Sequence, residues 1–245
     1  IFNRGTELRI KTLQIQHDTE TARLQGEVLR LRTTELDQLL HLRTSDLEGS
    51  LVDAMHRVAS MAEACNADMV DHPRRVGVLA AEIAAELGSP EPWVAQLRMA
   101  VPLHDVGKIA TPDSILLKAG PLTGPEFEVV KQHTHHGAAM LRGTPSPVLT
   151  LAAEVALTHH ERWDGTGYPM RSSGTDIPLS GRIASIADVY DALIGERTYK
   201  QAWSSAEAVQ FVLAGRGSQF DPTVVDAFVR VMVRREPDLA MQLRP

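Results

Sequence analysis

The chain has 245 residues, which is enough for one large domain or for one domain with an extended element. Hydrophobic residues make up 43% of it and aromatic residues 4%, which argues against an all-β sandwich, and the frequent Ala, Leu, Glu and Arg favour helices. The net charge of −6 excludes the strongly basic surface that is typical of nucleic-acid binding, so we expect no DNA partner.

Cysteine content and hydropathy limit the setting of the protein. Cys65 is the single cysteine, so an internal disulfide framework and a thiolate zinc cluster are excluded, and a reducing, cytoplasmic location is expected. No run of 18 apolar residues predicts a membrane segment, and the first residues do not resemble a signal peptide. Because the chain opens on Ile rather than Met, we expect that an upstream part is missing.

Residues 1–64 are predicted to form a long helical arm. They contain no proline and three glycines, and apolar residues recur in short series at steps of three and four, with register slips between the series, as in the seam of a coiled coil. We expect one or two helices that pair in a parallel homodimer; the alternative is a helix that packs on its own domain. The apolar positions are Leu24, Val28, Leu31, Leu36, Leu40, Leu47, Leu51, Ala54, Val58, Met61 and Cys65.

Residues 65–245 are predicted to form an all-α domain. Thr123 and Ser204 each precede a glutamate by three residues, which is the pattern of a capping box. Ser146 and Asp221 each stand before a proline and are further candidate helix starts. Helical periodicity covers residues 147–162 and 181–195, and no alternation is long enough to predict a sheet.

Seven of the ten histidines fall within about ninety residues of this second part. Imidazole and carboxylate together suit iron, manganese or zinc. The pair His104-Asp105 is a weak signal by itself, because His104 could equally be a core residue. Asp188 lies in an otherwise apolar helix, where an unpaired carboxylate is costly and a cation partner explains it better. Together the candidates lie on five predicted segments that a bundle could bring to one site: His72, His104-Asp105, His133, His159-His160 and Asp188.

The combination of motifs resembles the HD-GYP family of bacterial cyclic di-GMP phosphodiesterases, within the HD metallohydrolase superfamily. The resemblance covers about residues 66–230 and implies an HD-superfamily helical bundle. It rests on LHDVGKI (103–109), His133 with Gly137, HHERWDGTGYP (159–169), IADVYDAL (186–193) and RTYK (197–200).

The resemblance implies a role for each matching residue. The metal ligands would be His72, His104, Asp105, His133, His159, His160 and Asp188, with Asp105 bridging two ions that are typically iron or, as a substitute, manganese. Lys108, Arg197 and Lys200 would bind substrate phosphates, and Lys108 could also protonate the leaving 3′-oxygen. The alternative for all three is a solvated surface cation. The loop residues Gly165, Gly167, Tyr168 and Pro169 would shape the substrate pocket.

Two positions bear on how fully the family pattern applies. Some members hold a third metal with a glutamate four residues before the first histidine, and this chain has Asp68 there, either as a third-metal ligand or as a supporting or solvated acid. The family usually has Arg-Pro-Tyr-Lys where this chain has Thr198 in place of the proline, so we expect a looser turn with both cations retained.

The resemblance implies metal-dependent hydrolysis of cyclic di-GMP to pGpG, and then to GMP in some members, as the output of a signalling protein. The arm would then dimerise the domain and connect it to an upstream sensory or receiver domain. Two alternatives stay open: a hydrolase of another cyclic dinucleotide such as cyclic GMP-AMP, and a non-catalytic nucleotide-sensing or interaction module.

Overall fold

The computed structural model describes residues 2–63, 71–143, 145–195 and 202–242. The regular elements in these residues are helices joined by loops, and the described residues contain no β-strand. The predicted all-α class is therefore confirmed. None of the described helices is long and apolar enough to cross a membrane. The helices are α1 (Phe2–Glu63), α2 (His72–Glu86), α3 (Glu91–Ala100), α4 (Asp113–Leu116), α5 (Gly124–Lys131), α6 (His133–Leu141), α7 (Pro147–Thr158), α8 (Leu179–Ile194), α9 (Ser205–Ala214), α10 (Pro222–Arg235) and α11 (Leu239–Gln242).

The chain divides into two compact units, residues 1–51 and 52–245. The first unit is a single stretch of α1, whose side chains from residue 5 to residue 44 are all exposed, including the apolar Leu24, Val28 and Leu31. The predicted long helix is confirmed, while its pairing in a coiled coil stays a prediction. The predicted domain boundary at residues 64 and 65 also stays a prediction, because residues 64–70 lie outside the described ones.

The second unit buries one large apolar core between α2, α3, α8, α9 and α10. The predicted helix starts are observed: Thr123 and Ser204 form capping boxes, and the side chains of Ser146 and Asp221 accept hydrogen bonds from the first turns of α7 and α10. These caps satisfy backbone N–H groups that have no partner within the helix. The largest fully buried side chains include Phe220, Phe228, Ile83, Leu97, Ile177, Ile183, Ile186 and Met232.

Helix α7 ends earlier than its periodicity indicates, at Thr158 rather than at residue 162. The amide of Glu161 bonds the carbonyl of Thr158, which tightens the last turn, and the amide of Tyr168 bonds the carbonyl of His160. The amides of Trp163 and Asp164 bond carbonyls in the loop before α10. The two adjacent histidines therefore lie just beyond a helix, at the start of an anchored loop.

Candidate metal centre

The seven predicted ligands come together in two adjacent groups. Their ligand atoms lie within 4.8 Å of one another inside each group. The first group consists of Asp105, His133, His159 and His160, and the second of His72, His104 and Asp188. Both adjacent histidines, 159 and 160, thus belong to the same group.

Asp105 stands between the two groups. Its Oδ1 lies 3.2 Å from Nε2 of His133 and 3.7 Å from Nε2 of His159, both in the first group. Its Oδ2 lies 3.4 Å from Nε2 of His104, in the second group, and also pairs with the ammonium of Lys108. One carboxylate therefore offers an oxygen to each side, which is the arrangement that a bridging ligand needs.

A glycine in the HDVGK motif permits this approach. The 3₁₀ turn Val106–Ala110 crosses α6 so closely that a Cβ on Gly107 would lie 2.0 Å from the carbonyl oxygen of His133 and 2.4 Å from the amide nitrogen of Gly137. Both neighbours are backbone atoms and cannot rotate away. The contact brings Asp105, at the start of the turn, beside His133, at the start of α6.

Three of the histidines are oriented by backbone carbonyls. Nδ1 of His104 lies 3.0 Å from the carbonyl oxygen of Val101. Nδ1 of His133 lies 2.7 Å from the carbonyl oxygen of Val130. Nδ1 of His159 lies 3.1 Å from the carbonyl oxygens of both Val155 and Ala156. A carbonyl oxygen only accepts, so Nδ1 carries the proton in each ring. Nε2 is then left as a lone pair that faces the cluster, in the tautomer that a metal ligand requires.

The orientation of His72 depends instead on Asp191 and Arg75. Nδ1 of His72 donates to Oδ2 of Asp191 at 2.6 Å, and Nε2 lies 3.4 Å from Oδ1 of Asp188. The guanidinium of Arg75 binds both oxygens of Asp191, at 2.7 and 2.9 Å. Neither Asp191 nor Arg75 is among the candidate ligands that the sequence predicts. The spacing of Asp188 and Asp191, which places both on one face of α8, was the available signal.

The electrostatics of the cluster favour an ionised Asp105 and neutral rings at His159 and His160. Burial alone would raise the pKa of Asp105, but the ammonium of Lys108 and the rings of His104 and His133 outweigh it and hold that pKa well below its usual range. Burial lowers the pKa of His159, and burial together with the neighbouring His159 ring lowers that of His160 further. These are the protonation states in which both residue types bind cations.

The donor set fits a multi-metal site. Nε2 of His133 and Nε2 of His159 are 3.4 Å apart, so two ring lone pairs face each other. Oδ1 of Asp105 is buried beside them, and no described residue donates a hydrogen bond to it. Such a concentration of lone pairs is repulsive unless a cation lies among them. Imidazole and carboxylate donors without thiolate are compatible with iron, manganese or zinc.

A cavity of about 490 Å³ opens beside this cluster. Its lining includes His159 and His160 together with three of the predicted loop residues, Gly167, Tyr168 and Pro169. The predicted Gly165 does not line the cavity, but with a φ of 77° it adopts the left-handed conformation that the turn requires. The predicted loop thus forms one wall of a pocket that reaches the cluster.

Glu161 has a role that sequence reasoning did not anticipate. Glu161 is buried, so it is not an ordinary surface acid. Its Oε1 accepts a hydrogen bond from the amide of Met170 at 2.6 Å. Glu161 therefore ties the far end of the Gly165–Pro169 loop back to the histidine pair.

Some candidates lie elsewhere or outside the described residues. His17, His41, His135 and His136 are exposed, and His135 also lines the cavity. Asp68, Arg197 and Lys200 lie outside the described residues, so the third-metal ligand and the two phosphate cations stay predictions.

Comparison with known proteins identifies the family. The sequence profile of the HD domain matches residues 57–224, so the chain belongs to the HD domain family. The resemblance to the HD-GYP phosphodiesterases is likewise confirmed by the curated relatives.

Two curated relatives and one solved structure illustrate the match. A "cyclic di-GMP phosphodiesterase" of Thermotoga maritima is 42% identical over 79% of this chain and 54% of that protein. The "3'3'-cGAMP-specific phosphodiesterase 2" of Vibrio cholerae is 39% identical over 74% of this chain and 35% of that protein. The chain thus spans about half the length of the first relative and about a third of the second.

The crystal structure of a V. cholerae cyclic GMP-AMP phosphodiesterase, V-cGAP3, superimposes with a TM-score of 0.53 at 21% identity, over 76% of this chain and 50% of that one. At that identity the likeness shows the HD fold.

Proposed function

We propose that this chain is a metal-dependent phosphodiesterase that hydrolyses cyclic di-GMP to linear pGpG, with GMP as a further product to be tested. The observation that carries the proposal is the position of Asp105, whose two oxygens face two separate groups of imidazole lone pairs, one of which reaches a cavity through His159 and His160. This arrangement suits two neighbouring cations at one phosphodiester, and the curated relatives support the choice of substrate.

The proposed ligands are the two groups described above, with Asp105 shared between them. Cations bound there would supply an activated water at neutral pH and would neutralise the charge that develops on the phosphoryl oxygens. We propose iron, with manganese as the alternative, because the resemblance to the HD-GYP family implies these metals and the imidazole and carboxylate donors are compatible with both. A third ion held through Asp68 would make the centre trinuclear, and two ions would leave Asp68 as a supporting acid.

Two residues of this chain are placed to act on the substrate. Lys108 holds its ammonium against Asp105, from where it can bind a phosphate oxygen or protonate the leaving 3′-oxygen. Tyr168 lies at the cavity with its ring 4.7 Å from that of His160, and burial together with the charges of Asp105 and Asp188 raises its pKa. Its hydroxyl therefore keeps its proton and can donate to the substrate. We propose that Arg197 and Lys200 add two phosphate contacts.

Cyclic GMP-AMP is the second candidate substrate. The V. cholerae relative of that specificity is 39% identical, close to the 42% of the Thermotoga protein, so overall similarity does not separate the two dinucleotides. A non-catalytic sensing module is less consistent with the structure, because all seven ligand positions are filled and converge.

The setting of the activity is also part of the proposal. We propose that α1 pairs with α1 of a second copy, because its apolar residues are exposed along a helix with coiled-coil spacing. An upstream sensory or receiver domain and a cytoplasmic location agree with a signalling output of this kind, and both stay predictions.

The decisive experiment is a turnover assay with metal counting on the same sample, purified anaerobically. We expect two or three iron or manganese ions per chain and release of pGpG from cyclic di-GMP, with cyclic GMP-AMP assayed in parallel. Asp105→Asn should abolish turnover, whereas Asp113→Asn, at an exposed carboxylate in α4, should leave it unchanged. A fully metallated protein that binds both dinucleotides and cleaves neither would refute the proposal.

A further inference from the structure

The cavity has a second wall, formed by α5, that the proposed mechanism does not use. Phe127 and Lys131 of α5 line the same cavity as His159 and His160, and the Tyr168 ring lies beside the rings of both His160 and Phe127. The Tyr168 ring contacts that of His160 at 4.7 Å and that of Phe127 at 6.2 Å. A continuous row of rings thus leads from the metal centre to α5.

Phe127 contributes little to the core. It is 43% exposed, and α5 has no buried residue at all. Its ring meets that of Tyr168 edge to face, at 79°. An aromatic face that remains open inside a cavity is a suitable platform for a planar base, since stacking on Phe or Tyr is open to every nucleobase.

Lys131 adds a positive charge at the same place. Its Nζ lies 4.9 Å from the centre of the Phe127 ring and 5.5 Å from that of Tyr168. Its anionic partner is Glu128, at 2.6 Å on the same helix, with a side chain that is 67% exposed. Because the carboxylate of this pair is mostly in solvent while the Lys131 side chain is 25% exposed, the pair contributes little, and a phosphate with its larger charge can replace the carboxylate.

We propose that Phe127 and Lys131 bind the nucleotide of the cyclic dinucleotide that is not being cleaved, with Phe127 stacking on its base and Lys131 contacting its phosphate. A cyclic dinucleotide has two bases and two phosphates, and the metal centre takes one phosphate. The other half must lie further along the cavity, where α5 provides an aromatic face and a cation. The inference rests on the proposed function, because it concerns the substrate of the same site.

The test compares a large and a small substrate in the metal-loaded protein. Phe127→Leu is compared with Val129→Ala, because Val129 is an exposed residue of the same helix that does not line the cavity. Lys131→Gln is compared with Lys118→Gln, because Lys118 pairs with Glu126 at the same distance of 2.6 Å. Each variant is assayed with cyclic di-GMP and with bis(p-nitrophenyl) phosphate, which needs the metal centre alone. The Kd of the slowly hydrolysed bis-phosphorothioate analogue of cyclic di-GMP is measured by calorimetry.

We expect the two cavity variants to raise KM for cyclic di-GMP and Kd for its analogue about tenfold, with kcat little changed, as the loss of a stacking or phosphate contact predicts. The two cavity variants should turn over bis(p-nitrophenyl) phosphate at close to the wild-type rate. The two control variants should stay close to wild type with both substrates and in the Kd of the analogue. An unchanged KM and Kd in both cavity variants, or equal losses on both substrates, would overturn the inference and leave the proposed function intact. A wild-type protein that cleaves the small diester but no cyclic dinucleotide would overturn both.

Discussion

The hydrogen bond between His72 and Asp191 provides a direct test of how the metal centre is built. In Asp191→Asn the side chain keeps its shape, but the amide has one acceptor oxygen where the carboxylate offers two to His72 and Arg75. Asp191 and His72 are both buried, whereas the side chain of Arg75 is 45% exposed. We therefore assign about 1.5–3 kcal/mol to the His72 hydrogen bond and less than about 1 kcal/mol to the Arg75 pair. The expected destabilisation of the metal-free protein is therefore about 1.5–4 kcal/mol.

The metal centre should weaken in the same variant. Without the carboxylate, one amide oxygen must serve both His72 and Arg75, so the His72 ring is held less firmly with its Nε2 lone pair toward Asp188. Loss of such a supporting partner typically costs about 10–100-fold in metal affinity. Urea unfolding followed by tryptophan fluorescence reports on the second unit alone, because Trp93, Trp163 and Trp203 all lie in it. Metal affinity is measured by competition with a chelator of known affinity.

The matched control is Asp226→Asn. Asp226 binds Arg216 through both oxygens, at 3.0 and 2.9 Å, but both side chains are about half exposed. An exposed pair of this geometry should cost less than about 1 kcal/mol and leave metal affinity unchanged. If Asp191→Asn were no more destabilising than Asp226→Asn and bound metal normally, the assignment of Asp191 as the positioning residue of His72 would be wrong.

Three further predictions concern the same centre. Gly107→Ala should abolish metal binding, because its Cβ would meet the His133 carbonyl oxygen at 2.0 Å, whereas Gly124→Ala, with open space around it, should bind metal normally in the same chelator competition. In the metal-free protein the pKa values of His159 and His160 lie below 6.5, so at pH values between these and 6.5 the unfolded chain binds more protons than the folded one. The stability that these histidines contribute should therefore be complete above pH 6.5 and fall as the pH is lowered. Urea midpoints measured against pH should show this fall, and it should be less steep in His160→Gln. A chelator should lower the urea midpoint of the wild-type protein, since a ligand at 100 times its Kd stabilises the native state by about 2.7 kcal/mol, and an unchanged midpoint would argue against metal binding by the folded form.

The sequence was sufficient for the helical class and for the candidate ligands because both depend on local information. Caps such as Thr123 and Ser204 act within one turn, and the histidine and aspartate motifs keep their spacing wherever they fold. The partner of His72 is 119 residues away, on a different helix, so it depends on how α2 packs against α8. Phe127 and Lys131 were missed for the same reason, since a Phe and a Lys in an amphipathic helix resemble ordinary surface residues until the Tyr168 loop packs beside them.

The ends of helices explain why these histidines are oriented so consistently. The last carbonyls of a helix lack a partner within it, and a histidine that follows directly can donate Nδ1–H to one of them. His159 follows α7 directly, and His133 stands one residue beyond α5, after Gln132, and donates to the carbonyl of Val130 in the last turn of α5. His72 opens α2 instead and relies on Asp191 from α8. The first ligand group is therefore oriented mainly by local backbone, and the second in part by tertiary packing. A substitution that loosens α2 against α8 should accordingly reach the group of His72, His104 and Asp188 before it reaches the other.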